Sequence, residues 1–175
     1  ALELYKKILT KEPDNEIVKN SMIAAVKDTM TPQQFVEYIK KNYPNDASYT
    51  LYNYALDLHK SNKIGEAVDM YKEVLKLDSN NSEVYVNLAI AQGQEKDFDA
   101  ALQTLKTADA KFPNNQQIAQ TLKSINAQNV DIKLEKAANF FNNKDYQNAI
   151  AEYLKIQPAT SDTMLGIASA YQNIE

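Results

Sequence analysis

Cysteine is missing from this chain, and so is arginine. Without thiols there is no disulfide, no thiolate metal ligand and no cysteine nucleophile. All 19 basic residues are lysine, so the planar guanidinium best suited to bidentate phosphate recognition is absent. With a net charge of −4 and a pI near 5.1 as well, nucleic acid is a poor partner, because its affinity rests on neutralising cations. The three glycines lie too far apart to form a phosphate-cradling loop. The single histidine, His59, cannot build a catalytic triad unless the fold brings partners to it, and metal sites usually draw on several such ligands. It reads as an exposed polar residue at a helix end. No catalytic residue, metal site or cofactor is expected, and the chain is not expected to be an enzyme. No apolar run is long enough to cross a membrane, so no direct membrane insertion of this segment is expected. No signal peptide opens it, and the composition allows cytoplasmic and exported locations alike. Its lysine- and asparagine-heavy vocabulary reads as an AT-rich, bacterial coding sequence.

What is present is a repeat. Two units of 34 residues, Ser48–Asn81 and Ser82–Asn115, follow each other without a gap. They share Ser48/Ser82, Asn53/Asn87, Ala55/Ala89, Ala67/Ala101, Lys72/Lys106 and the pair Asn80-Asn81/Asn114-Asn115. A fixed period in this range marks a repeat array. Within the first unit, Leu51, Tyr54, Ala55 and Leu58 form one helical stripe. Lys63-Ile64-Gly65 interrupts it, and Ala67, Val68, Tyr71, Val74 and Leu75 resume it on a second helix. Asp78-Ser79-Asn80-Asn81 stops that helix with residues that favour turns and N-caps. Each unit is therefore an antiparallel helix pair in which small residues at Ala55 and Ala67 let the two backbones approach. One pair cannot bury its own stripe, so stacking on neighbours is obligatory.

These residues resemble the tetratricopeptide repeat. Ser82–Asn115 matches that family's pattern through Leu88, Ala89, Phe98, Ala101, Ala108 and Pro113, and departs from it at Gln92 and Leu105. Ser48–Asn81 matches through Tyr54, Ala55, Leu58, Ile64, Ala67, Tyr71 and Val74, with Ser79 where proline is expected. The resemblance implies an all-α, right-handed superhelical array of antiparallel helix pairs, an α-solenoid, here of about eleven helices.

The rest of the chain extends the array less regularly. An N-terminal block, 1–128, contains a partial repeat 1–15, a degenerate repeat 16–47, the clear repeats 48–81 and 82–115, and an extra helix 116–128. A C-terminal block, 129–175, ends in a partial repeat. In 16–47, Asp14-Asn15 caps a first helix, and Thr31-Pro32 opens a second. Gln116–Ala127 and Val130–Asn142 both read as first helices. Two in succession call for one long or bent helix over Gln116–Asn142, or for an altered angle near Gln128-Asn129. In the last unit Leu165 and Gly166 take the large and small positions that Tyr54 and Ala55 hold in the first clear one, behind a cap at Ser161-Asp162.

The resemblance implies a non-catalytic protein–protein interaction scaffold that takes a peptide or protein partner in the concave groove of the superhelix. Two other readings stay open: an assembly or self-association module of a larger complex, and an accessory repeat region of a longer enzyme. Leu4, Ile8, Leu165 and Ile167 sit in half-repeats, so end-to-end self-association belongs with the first of these. For the groove, the partner-binding candidates are Tyr49, Tyr52, Asn53 and Asn87. Tyrosine offers large contact area at low rotamer cost. An asparagine amide can donate to and accept from one peptide unit at once, so Asn53 and Asn87 on successive units can clamp an extended backbone if both amides are free. The alternative is that asparagine is merely tolerated there. Tyr54, Tyr71, Tyr146 and Tyr153 are assigned to the core.

Overall fold

The computed structural model describes residues 1–174, all of them helix or connecting turn, with no strand among them. The helices fall into two compact units that meet in sequence at Glu95–Lys96. The first holds α1 (Leu2–Lys11), α2 (Glu16–Lys27), α3 (Pro32–Asn42), α4 (Ala47–Lys60), α5 (Ile64–Leu77) and α6 (Ser82–Gln94). A single 3-10 turn, Pro44–Asp46, precedes α4. The second unit holds α7 (Phe98–Lys111), α8 (Gln116–Asn142), α9 (Tyr146–Tyr153) and α10 (Ser161–Gln172). The ten α-helices among the described residues approximate the expected count of about eleven, with one fewer because two expected helices merge over Gln116–Asn142.

In the first unit, consecutive helices pack as antiparallel neighbours, most extensively α4 on α5 and α5 on α6. Ala55 and Ala67 are fully buried on the facing sides of α4 and α5, so two methyl groups stand where larger side chains would hold the helices apart. Around them Phe35, Ile39, Leu51, Tyr71 and Val74 close one continuous core. Ala89 and Ala101 are likewise without exposure. The second unit repeats the device twelve positions apart, with Ala137 on α8 and Ala149 on α9 both fully buried beside Tyr153 and Ile156.

Local chemistry sets the boundaries. Asn15 caps α2 by accepting from the Val18 amide. Thr31 and Gln34 close a capping box at α3, with Pro32 in the first turn, where its missing N–H costs nothing. The turn between α4 and α5 begins earlier than the sequence suggests. Asn62 takes a left-handed conformation (φ 59°), its N–H bonded to the His59 carbonyl and that of Lys63 to the Leu58 carbonyl. This is a Schellman end, and Lys144 (φ 63°) repeats it after α8. Ile64 and Gly65 are therefore already helical. At α10 the cap is Thr160, which accepts from the Thr163 amide; Ser161 is the first helical residue rather than the cap.

The two first-type helices expected over 116–142 are one continuous helix, α8, capped by Asn115. Residues 128 and 129, where the sequence places a block boundary, lie inside it. The half-repeats expose the apolar surface expected of them. Leu4 and Leu165 are more than half exposed, Ile8 and Ile167 are half-buried, and α1 contributes no fully buried residue.

Candidate functional site

The first unit carries an open groove of about 480 Å³ between α2 and α4. Its floor is apolar, from Ile23 and Ala24 on α2, Phe35 on α3 and Tyr54 on α4. The Tyr54 ring meets Phe35 edge-on with centroids 4.9 Å apart. The Lys27 ammonium lies 5.7 Å from the Tyr54 ring centre. Tyr54 was expected to be core, but it is only half-buried and forms groove surface, because the neighbouring unit is short and leaves its outer face uncovered.

Charge along the rim is organised in pairs. Lys19 bonds Asp46 and Glu16, and Lys27 bonds Asp57 at 3.0 Å. The hydrogen bond to Asp46 is the main cause of a raised Lys19 pKa, with Glu16 adding to it against a burial cost. Both lysines are more covered than the carboxylates they pair with. An incoming chain therefore meets three carboxylates over two neutralised cations.

Of the four residues singled out in the sequence, two line this groove. Asn53 is exposed in it and makes no hydrogen bond through its amide among the described residues. Tyr49, 72% exposed, stands one helical turn before it on the same face of α4. Tyr52 and Asn87 do something else. The Asn87 amide donates to the Tyr52 hydroxyl at 2.9 Å, and that hydroxyl donates to Glu83 Oε2 at 3.3 Å. Burial, and then the Glu83 charge, push the Tyr52 pKa up. The pair ties α4 to α6, so the Asn87 amide is partly engaged, whereas a two-rung asparagine clamp requires it free. The physical reason is reach: a tyrosine one residue before Asn53 spans the gap to the next helix of the same type.

Some groove residues were not singled out. Asn20 and Thr50 line it beside Asn53. In the degenerate repeat, the position matching Asn53 reads as Ser21, whose hydroxyl donates to its own helix at the Ile17 carbonyl, 2.8 Å away. Asn20 takes its place at the surface. Only a correct register through the shortened unit could have found it.

His59 is not a loose polar residue at a helix end. Its Nδ1 lies 3.2 Å from the Tyr71 hydroxyl and its Nε2 lies 2.9 Å from Gln94 Oε1. With Nε2 donating to the amide oxygen, Nδ1 accepts from the phenol, and the imidazole joins α4 to α5 and α6. Burial holds the Tyr71 hydroxyl far above its ordinary pKa, so it stays a proton donor in that bond. Among the described residues no group of three or more His, Cys, Asp or Glu side chains could hold a metal ion. No described helix is long and apolar enough to cross a membrane.

A family model of the tetratricopeptide repeat matches residues 58–125. No curated protein matches the chain. Among solved structures, the APC/C hetero-tetramer Cut9-Hcn1 aligns over 99% of this chain and 40% of its own, with 19% identity and a TM-score of 0.39. The chain thus spans well under two thirds of that relative. A thermophilic TPR protein of Thermus thermophilus, TTC0263, aligns over 98% of this chain and 89% of its own, with 15% identity and a TM-score of 0.32.

Proposed function

From the match of residues 58–125 to the tetratricopeptide-repeat family model, we propose that the chain is a protein-interaction scaffold whose first unit holds an extended peptide segment of a partner between α2 and α4. One observation carries the reading: Asn53 offers an amide with no intramolecular partner, on the wall of an apolar-floored groove. An amide so placed can accept from and donate to one peptide unit of a guest strand. Tyr49 beside it supplies a rigid amphipathic surface for a guest side chain. Tyr52 and Asn87 support the wall from behind rather than gripping the guest. With three carboxylates against two paired lysines on the rim, a neutral or basic peptide suits the groove better than an acidic one.

Selection of displayed peptides on the immobilised chain, followed by titration of the enriched sequences, tests this. Asn53→Ala should weaken binding several-fold, the loss of about 0.5–1.5 kcal/mol for one neutral hydrogen bond, with the melting temperature unchanged. Full affinity in the Tyr49→Ala/Asn53→Ala double variant would remove the groove from consideration. A second reading, assembly through helix ends, is favoured by the exposure of Met164, Leu165 and Tyr171 on α10. Concentration-dependent light scattering separates the two.

A further inference from the structure

In the second unit α7 and α9 both pack on the unbroken helix α8. A notch of about 200 Å³ opens along the middle of α8, bordered by α7 and by the segment just after α9. Among the residues that line it is Asn129, 8% exposed. Its backbone is satisfied by the helix, yet its side-chain amide has no hydrogen-bond partner among the described residues. No described side-chain polar atom is both sealed from solvent and unpartnered, which leaves the notch as the space the Asn129 amide reaches.

The charges around this amide are unlike the rest of an acidic chain. Lys106 from α7, Lys133 from α8 and Lys155 after α9 border the notch, against one carboxylate, Asp99. Neither Lys106 nor Lys133 makes an ion pair among the described residues. Lys155 shares Glu152 with Lys136. Ile156 adds an apolar wall. Two cations without ion pairs, an amide that reaches the notch from a largely buried asparagine and an aliphatic wall suit an anion on a short carbon chain.

We infer that the notch binds a carboxylate, with Asn129 Nδ2 donating to one of its oxygens and Lys106 and Lys133 neutralising its charge. The volume corresponds to about seven waters at about 30 Å³ each, so it admits one side chain or a small free acid and not an extended strand. Asp99 at the lip disfavours a dianion such as phosphate, and no guanidinium is present to grip one in bidentate fashion. The site lies wholly within the second unit and stands independently of the groove between α2 and α4.

The test uses the full chain labelled with ¹⁵N and four probes: butyrate, a blocked peptide with one glutamate, the same peptide with glutamine, and inorganic phosphate. The expected result is a saturable shift of the Asn129 side-chain amide, and of the Asn126 and Lys133 backbone amides, with a carboxylate probe. The shift should weaken with added salt. In Lys106→Gln/Lys133→Gln, a substitution of one exposed and one half-buried lysine outside the fully buried core, affinity should fall about fivefold, as two partly exposed ionic contacts require. Response to butyrate as well as to the glutamate peptide makes a free acid sufficient as the ligand; response to the peptide alone assigns the site to an acidic segment of a partner protein. An Asn129 amide unmoved by every probe overturns the inference. So does equal response to the glutamine peptide or to phosphate, or undiminished affinity in the double variant.

Discussion

Gly166→Ala sets two effects of known sign against each other. Gly166 lies inside α10, where alanine is the better helix former by about 1 kcal/mol. Its φ is not positive, so nothing in the backbone demands glycine. Propensity alone therefore predicts stabilisation. Packing predicts the reverse, because a Cβ built at this position would lie 2.5 Å from Tyr153 Cζ and 2.8 Å from both Cε atoms. These are rigid ring atoms of a side chain only 8% exposed, set in a core with Ala137, Ala149 and Ile156. The ring cannot rotate away from a contact centred on its far end, so α10 must shift. Overpacking of this kind costs roughly 1–3 kcal/mol. The net expectation is a loss of about 1 kcal/mol, worth some 2–4 °C in a chain of this size. Gly65→Ala is the control. There the new Cβ meets only the carboxylate end of Glu95 at 3.0 Å, a flexible group that moves aside at little cost, so propensity should prevail and stability should rise. Urea unfolding followed by far-UV circular dichroism reads both variants. Tyr153→Leu combined with Gly166→Ala should relieve part of the clash. If Gly166→Ala stabilises as much as Gly65→Ala does, the close approach of α10 to α9 is wrong.

Asn87→Ala should destabilise by about 0.5–1.5 kcal/mol, because its amide bonds the Tyr52 hydroxyl. A double-mutant cycle with Tyr52→Phe should show coupling, and strict additivity would deny the bond. Lys144 is exposed and left-handed, so Lys144→Gly should stabilise the fold to urea by up to about 1 kcal/mol, the relieved strain exceeding the added freedom of the unfolded chain. Glu152 is held below the ordinary 4.5 chiefly by hydrogen bonds from Lys136 at 2.7 Å and Lys155 at 2.9 Å. A depressed carboxylate contributes stability that is present above its unfolded pKa and lost as pH falls through its lower folded pKa. Glu152→Gln should therefore flatten the acid arm of a melting-temperature profile below about pH 4.5, and an unchanged slope there would show that the pair carries no linkage.

The alanines at 55, 67, 89 and 101 were readable from the sequence because close helix contact tolerates almost nothing else, and all four are fully buried. Gly166 was readable as a small residue for the same reason, although its partner Tyr153 was not. Helix starts at α2 and α3 were legible through Asn15 and Thr31, whose side chains act locally. What escaped depends on longer reach. Asn87 and Tyr52 sit at the same repeat positions as residues that face the groove, and only the distance between α4 and α6 decides that they bond each other. Tyr54 has a core residue's spacing, yet the shortness of the preceding unit uncovers it.

The irregular second unit is the clearest case. A strict repeat presents each first-type helix to a second-type partner, and its side chains are chosen for that partner. Merging two such helices into α8 removes one partner, and the middle of α8 must then face something for which the repeat pattern gives no rule. Ile125 there is covered by packing, while Asn126 and Asn129 border the notch. Periodicity alone assigns Asn129 to neither a solvent face nor a core, since an asparagine in a chain so rich in asparagine carries no signal by itself. It becomes informative only when its burial is set beside its missing partner and the unpaired Lys106 and Lys133. In a repeat protein, the positions where the period breaks are therefore where side-chain identity is least constrained by stacking and most free to serve a ligand.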